Sequence, residues 1–484
     1  MTRLYYSTTG PRYHHVISRV VKNARPALFH KSNTSKIKNF FNVQLCVSAA
    51  AVAYACFDRI NHSSSLVAAT VGIVRSSDIF VEIEEGEIAP PRSDILDVVA
   101  EVRNRYESAK NIDGHYVNSA SSRHKPEVSK ELRLGNSGLN VSRIILGCGS
   151  YGSSEWDSWV LGENEAFKHI KFAFDHGITT FDTSNTYSNG LSEVILGKAI
   201  KEFKLPRDEL VIMTKVGKPV ASEVSFNFIL QKKKPEDVGI INQYGLTRKH
   251  IFDSVKASLA RLQLDYIDVL QCERIVSVTE LSTEQDGLGH RFDYDAPIEE
   301  TMQALHEVVK AGYVRYIGMS SCWAYQFQQM QHYAITHNLT PFISMQNHYS
   351  LLYREEEREM YPTLKLFGVG SIPWSPLSRG LLTRPLGAES KRGNSDWAIN
   401  SFKNDATAAI VGCVEEIAKK RGISMAQVAI AWVLSKPGVS APIVGLTSLA
   451  NLEDILNGID LKLTDEEIKR LEEPYKPVVV YGHF

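Results

Sequence analysis

The chain has 484 residues, with 54 Lys and Arg against 55 Asp and Glu, a formal net charge of −1 and a hydrophobic share of 43%. That size and balance describe one large globular domain plus extra material. They exclude a polyanion as principal partner, and the absence of zinc-type Cys/His spacing and of basic runs interleaved with aromatics argues against a metal site and nucleic-acid binding.

Residues 1–60 differ from the rest. Arg3, Arg12, Arg19, Lys22, Arg25, Lys31, Lys36 and Lys38 all precede the first acidic residue, Asp58, the composition of an organelle-import leader and a pointer to mitochondria. The apolar run VQLCVSAAAVAYACF at 43–57 is short for a bilayer core and is the one candidate for membrane contact. The bland alternative for such a composition is a disordered extension or a wrongly chosen start codon. Residues 61–130 read as an extension or linker: a strand in DIFVEIEE, the pair Pro90-Pro91, a helix in DILDVVAEVRNRYESA, then the polar run NSASSRHKPEVSK. Six cysteines, Cys46, Cys56, Cys148, Cys272, Cys322 and Cys413, lie scattered without CxxC pairs and read as small core residues of a reducing compartment.

From residue 131 to 477 strand-length apolar runs alternate with helix-length amphipathic segments. The strands expected in order are SRIILGCG, ITTFDTS, ELVIMTKV, YIDVLQC, VRYIGMSS, FISMQNHYS, VGSIPWSPL and APIVGLT. The segments between them carry apolar residues at helical spacing, and several stop at a glycine suited to a left-handed cap, such as Gly368 and Gly422. Eight such repeats predict an α/β fold of the (β/α)8 TIM barrel type with an N-terminal extension, and 478–484 as a tail. A doubly wound sheet is the alternative, but no strand runs through GxGxxG into a helix.

In a barrel the C-terminal strand ends face the site. Those ends are Asp182, Lys215, Ser320-Ser321, Gln346 and Trp374-Ser375, and Tyr187 follows Asp182 in its loop. An ammonium beside a phenol favours the phenolate and makes the tyrosine useful at neutral pH, with Asp182 orienting Lys215. The bland alternative is a structural ion pair between barrel strands, and spacing does not separate the two.

The runs LGCGSYG, FDTSNTYSNGLSEVILG, MTKVG, LQLDYIDVLQ, HRFDYDAPIEETM, AGYVRYIGMSS, SMQNHYS and IPWSPLSRGLLT together resemble the aldo-keto reductase superfamily, above all its fungal aryl-alcohol dehydrogenase-like and general aldehyde reductase-like members. The resemblance spans about Leu132 to Pro477. It implies a cytoplasmic oxidoreductase that passes hydride from NADPH to an aldehyde or ketone, with NADH as the alternative cofactor and a small-molecule carbonyl compound as the partner. Catalysis by Asp, Tyr, Lys and His maps onto Asp182, Tyr187, Lys215 and a histidine.

That histidine is displaced. The family pattern has His-Arg directly after the strand, whereas here Glu273-Arg274 follows Cys272 and HRFDYDAPIEETM begins at His290. Removing Glu273 to Gly289 restores LQCHRFDYD, so residues 273–289 read as an insertion, either an intron read in frame or a genuine flap. His290 is the expected fourth residue; the competing reading gives that role to Glu273 as a protonated donor.

By the same resemblance, Ser150 and Tyr151 would touch the ribose and nicotinamide, Asp182, Ser320, Ser321 and Gln346 would line the carboxamide end, and Trp374 would stack on the ring. Ser375, Leu377, Arg379 and Gly380 would fold over the pyrophosphate, and Gly445, Thr447, Asn451 and Asp454 would meet the adenosine phosphate. Thr447 and Asn451 are neutral where many members carry a cation, which weakens the chemical case for a 2′-phosphate. Two further readings stand beside the reductase: an NADPH-binding regulatory subunit, and a product inactivated by the insertion.

Overall fold

The computed structural model describes residues 68–75, 78–84, 131–273, 275–276, 290–291 and 293–480. The leader, the apolar run at 43–57, the helix expected near 94–109, most of the insertion and the end of the tail lie outside the described residues. No helix among the described residues is long and apolar enough to cross a membrane. The chain divides into two compact units, Met1–Arg123 and His124–Phe484. In the first, Asp78–Glu84 forms the expected strand and pairs antiparallel with Ala68–Arg75.

The second unit carries eight parallel strands: β1 (Ile145–Gly147), β2 (Thr180–Asp182), β3 (Val211–Val216), β4 (Ile267–Cys272), β5 (Val314–Ser320), β6 (Phe342–Gln346), β7 (Gly370–Ser371) and β8 (Ile443–Gly445). Each strand from β1 to β7 lies beside its successor, except that β7 meets β8 through the bridges Ser371 to Val439 and Trp374 to Ile443, and β8 pairs with β1. The ring therefore closes as a (β/α)8 barrel. All six residues of VIMTKV in β3 and of IDVLQC in β4 are buried, because parallel strands are covered on both faces and read as unbroken apolar runs.

Helices α1 (Glu163–Asp175), α2 (Leu191–Glu202), α3 (Arg248–Leu262), α4 (Ile298–Lys310), α5 (Ala324–Thr336), α6 (Met360–Phe367), α7 (Thr407–Arg421), α8 (Met425–Ser435), α9 (Leu449–Asn457) and α10 (Asp465–Glu472) follow the strands. In α1 the residues Ala166, His169, Ile170 and Ala173 turn inward at the i, i+3, i+4, i+7 spacing of one helix face. The Thr247 side chain accepts the His250 amide at the start of α3, and Gly368 and Gly422 end α6 and α7 in the left-handed conformation that spares other residues strain.

The barrel interior is filled by Ile145, Val211, Met213, Val269, Ile372 and Ile443 together with Leu134 and Val141 of a hairpin, Leu132–Arg133 with Asn140–Val141. That hairpin plugs the N-terminal end, where Asn136 donates to the Gly368 carbonyl just ahead of β7. Each fully covered Leu or Ile contributes roughly 1.5–3 kcal/mol. With that end sealed, the open rim is the C-terminal one. Cys148, Cys272, Cys322 and Cys413 are free and buried as expected, and burial pushes the Cys272 thiol up to about 12.

Candidate active site

Asp182 closes β2 and Lys215 lies one residue before the end of β3, so adjacent strands bring them together by register alone. Their side chains are 2% and 1% exposed, and Lys215 Nζ donates to Asp182 Oδ2 at 2.6 Å. The ammonium also donates to the Thr183 carbonyl at 2.8 Å and to the Tyr187 hydroxyl at 3.3 Å. Its three hydrogens are thereby used. Asp182 Oδ1 in turn accepts from Gln271 Nε2 at 2.8 Å and Gln346 Nε2 at 2.9 Å, and the two glutamines bond to each other at 2.7 Å. Both oxygens of this buried carboxylate are thereby hydrogen-bonded, which offsets the cost of burying them.

Tyr187 opens a short turn, Tyr187–Gly190, in which Ser188 and Asn189 adopt left-handed backbone angles before α2 begins. Its ring lies against the β1 loop: a Cβ on Gly149 would come within 3.3 Å of the ring, tighter than ordinary contact. Burial pushes the phenol up to about 12, and Lys215 pulls it down against that while Asp182 and Glu273 add to the rise. The expected lowering by the ammonium is thus present but outweighed by desolvation, and the resting phenol is protonated. Burial also works against the ammonium, but Asp182, Tyr187 and Glu273 overcome it and hold Lys215 above the usual lysine range.

At the fourth corner, Glu273 stands directly after β4. Its amide donates to the Val216 carbonyl at 2.7 Å, Lys218 Nζ reaches Oε1 at 2.6 Å, and Ser184 Oγ donates to Oε2 at 3.4 Å. His290 pairs with Val276, and Arg291 with Ile275, in a two-stranded ribbon. The side chain of His290 lies outside the described residues.

The expected cofactor residues separate into two groups. Ser320 and Ser321 both donate to the Gln346 carbonyl, at 3.1 and 3.3 Å, and Trp374 Nε1 donates to Ser321 Oγ at 3.1 Å. The indole is half-buried and backed by His348, whose ring stacks on it at 4.5 Å and on Tyr353 at 4.3 Å. Ser375 and Arg379 have positive φ, and with Leu377 and Gly380 they form a tight turn after β7, the kind of backbone that presents amides to an anion. Gly445 ends β8, and Ser448 caps α9 by accepting the Asn451 amide, with Thr447 just before it. A flat ring, an amide-rich turn and a helix start on one rim fit a dinucleotide.

The remaining three, and the guanidinium of Arg379 in the first group, are bonded within the protein. Ser150 donates to the Leu446 carbonyl at 2.8 Å and joins the ends of β1 and β8. Tyr151 is fully covered, its hydroxyl 3.3 Å from His169 Nδ1 of α1, so it faces the helix layer. Asp454 is held by Ser424 at 2.6 Å and Gln427 at 3.0 Å from α8. Arg379 grips Asp396 through two 2.7 Å bonds, and Arg392 shares that carboxylate at 3.0 Å while lying over Trp159.

Sequence reading missed Gln271, whose position one turn of the strand pattern before Glu273 marked it as inward-facing, and His348, which no local pattern distinguishes from a core residue.

The model of the aldo/keto reductase family matches residues 143–476. A versiconal hemiacetal acetate reductase of Aspergillus parasiticus is 45% identical over 354 residues, covering 72% of this chain and 98% of the relative. A Schizosaccharomyces pombe protein named as an aryl-alcohol dehydrogenase is 47% identical over 361 residues, 72% of this chain and 96% of the relative. The aldo-keto reductase AMT2 of Alternaria alternata is 42% identical over 362 residues, 72% and 93% of the two chains. With its strands, its rim and its matches in agreement, this chain belongs to the aldo/keto reductase family and is an oxidoreductase that works with a nicotinamide cofactor.

Proposed function

We propose that the protein is an NADPH-dependent reductase of aldehydes or ketones, running in reverse as alcohol oxidation, with Tyr187 as general acid. The observation that carries this reading is the saturation of Lys215: one of its three hydrogen bonds ends on the phenol oxygen, so the phenol's own hydrogen is the one left for an incoming carbonyl. Bound NADPH supplies the hydride. Tyr187 delivers the proton to oxygen, Lys215 steadies the oxygen it leaves behind, and Asp182 with Gln271 and Gln346 keeps the ammonium in place.

Ser320, Ser321 and Gln346 would hold the carboxamide end with Asp182 beneath them, and Trp374 would stack on the ring. Ser375, Leu377, Arg379 and Gly380 would take the pyrophosphate, and Gly445, Thr447 and Asn451 the adenosine phosphate. NADH is the alternative because Thr447 and Asn451 offer no charge to a 2′-phosphate. The reductase and aryl-alcohol dehydrogenase names of the relatives support an aldehyde with an aromatic part.

His290 is the residue we assign to orienting the carbonyl. A second reading is favoured by one observation: Glu273, not His290, directly follows β4 and reaches Ser184 and Lys218 beside the phenol.

The deciding experiment is aldehyde-dependent oxidation of NADPH and NADH by the full chain over a panel of aromatic and aliphatic carbonyl compounds. Turnover of at least one aldehyde is expected. Tight NADPH binding with no turnover of any of them would replace this reading with a regulatory, cofactor-sensing subunit.

A further inference from the structure

The connection from β3 to α3, residues 217–247, leaves the barrel at the same rim as Tyr187 and is far longer than a barrel turn requires. Its first part is tied to the tyrosine-bearing segment by two asparagines. Asn185 Nδ2 donates to the Lys218 carbonyl at 3.3 Å. Asn189, two residues past Tyr187, does more. Its Nδ2 donates to the carbonyls of Phe226 at 2.7 Å, Glu223 at 2.9 Å and Val224 at 3.4 Å, and its Oδ1 accepts the Ala221 amide at 3.0 Å. One amide side chain thus bonds four backbone groups of residues 221–226, a segment with no strand or helix of its own to satisfy them.

Two features make this more than a loop staple. The clamp starts from the turn that carries Tyr187, so whatever moves 221–226 moves the approach to the phenol. The held segment also ends at Phe226, half-buried and edge-on to Phe228 at 4.9 Å, so it carries an aromatic pair. On these grounds we infer that Asn189 is a positioning residue: it fixes residues 221–226 as one wall of the substrate entrance, and that wall selects aldehydes carrying a flat apolar group over small aliphatic ones. The inference rests on the reductase reading and adds its substrate filter.

The left-handed angles of Asn189, φ 51 and ψ 44, allow a clean perturbation. Asn189→Gly accepts that backbone without strain and removes only the four bonds. Asn189→Asp keeps the acceptor for Ala221 but turns carboxylate oxygen toward three carbonyls. Phe226→Ala removes the ring and keeps the carbonyl that Asn189 holds, so it tests the wall should the asparagine variants fold poorly.

The experiment combines hydrogen–deuterium exchange over 218–226 with kcat and KM for propanal and 2-naphthaldehyde, using NADPH with the full chain. In Asn189→Gly, exchange of this segment is expected to quicken about tenfold or more. KM for 2-naphthaldehyde should rise about tenfold, while kcat for propanal and the NADPH Kd stay within about twofold. Asn189→Asp should show the same pattern, and Phe226→Ala should lower the preference for naphthaldehyde without quickening exchange. Unaltered exchange in Asn189→Gly overturns the clamp. Faster exchange with a wild-type preference between the two aldehydes, there and in Phe226→Ala, overturns the filter. A wild type that reduces neither aldehyde overturns the reductase reading itself, a failure visible before any variant is made.

Discussion

Replacing Tyr187 by Phe removes one oxygen and little else. The ring contacts that fix its place, including the approach of Gly149 to within 3.3 Å, involve carbons that phenylalanine retains. Lys215 loses its 3.3 Å bond to the hydroxyl but keeps Asp182 at 2.6 Å and the Thr183 carbonyl at 2.8 Å. The stability change is therefore that of one long, partly buried hydrogen bond, about 0.5–1.5 kcal/mol. Cofactor affinity should move by less than about twofold, because none of the residues assigned to the dinucleotide bonds to this hydroxyl. The loss in turnover is of another order. A positioned general acid contributes about 10²–10⁴ in rate, or roughly 2.7–5.5 kcal/mol of barrel-mouth stabilisation of the transition state. The assay is steady-state aldehyde reduction, followed by the disappearance of NADPH, alongside cofactor titration and urea unfolding of the same variant. A kcat within about tenfold of wild type would place the acid elsewhere. A loss of turnover matched by a comparable loss of stability and NADPH affinity would make Tyr187 a packing residue and refute the reasoning equally.

Three further outcomes follow from the same geometry. The phenol's folded pKa lies above its ordinary 10.0, at about 12; the protonated acid therefore survives as pH rises, and the pH profile of reduction should show no basic limb from Tyr187 below about pH 10. The linked stability has the corresponding sign: a raised pKa contributes fully below the unfolded value and is lost as pH climbs from there toward the folded one, which unfolding of wild type against Tyr187→Phe at high pH would reveal. Lys215→Met strands the Asp182 carboxylate in a buried site and should cost about 3–5 kcal/mol at neutral pH in urea unfolding; adding Asp182→Asn should recover most of it, because the new amide oxygen still accepts from Gln271 and Gln346. Purely additive losses would show that the pair does not act as a unit. Deleting residues 273–289 sets His290 directly after Cys272, and kcat for aldehyde reduction should rise if His290 is the carbonyl-orienting residue; a fall, together with a comparable fall in Glu273→Gln of the full chain, would assign that role to Glu273.

The barrel was legible because its strands are buried on both faces and so read as apolar runs, and because strand ends on one rim are a topological consequence of the repeat. Asp182, Tyr187, Lys215 and Gln346 came from that logic, and the structure brings them into one bonded group. Tyr151, expected from the resemblance and not from that logic, lies apart from this group. The turn Cys148–Ser150 intervenes between the end of β1 and this tyrosine, and its ring emerges on the helix side, against His169. Asp454, expected at the adenosine phosphate by the same resemblance, is bonded by Ser424 and Gln427, which come from another helix and which no local pattern announces. The phenol's pKa was misjudged in direction because sequence gives the neighbouring charge but not the depth of burial, and here burial is the larger effect. Asn189 reads as a turn residue by type; its four bonds to residues 221–226 are a property of the folded loop alone.

The segment that reads in the sequence as an insertion, residues 273–289, is flanked by anchors to the barrel at Glu273 and Asp293. Glu273 is drawn onto the end of β3 by its amide bond to Val216, and Gly217 makes room for it, since a Cβ there would meet the Glu273 carbonyl oxygen at 2.0 Å. On the return, Asp293 accepts the Leu246 amide at 2.6 Å and the amides of Asp295 and Ala296 at 3.1 Å, which sets the start of α4. Between these anchors the ribbon of Ile275–Val276 and His290–Arg291 closes the excursion at its base, so the loop-closure cost falls on a short pairing while β4 and α4 keep their barrel positions. The pairing also fixes where His290 is. It lies opposite Val276, three residues past Glu273, and at about 3.3 Å per residue its backbone stands roughly 10 Å farther along the chain than the strand end. Directly after β4, the Glu273 carboxylate, held by Lys218, adds to the rise of the Tyr187 pKa and helps keep its proton in place. In the full chain the position directly after β4 therefore carries a paired carboxylate, and the chemistry most sensitive to it is the orientation of the carbonyl, not the supply of the proton.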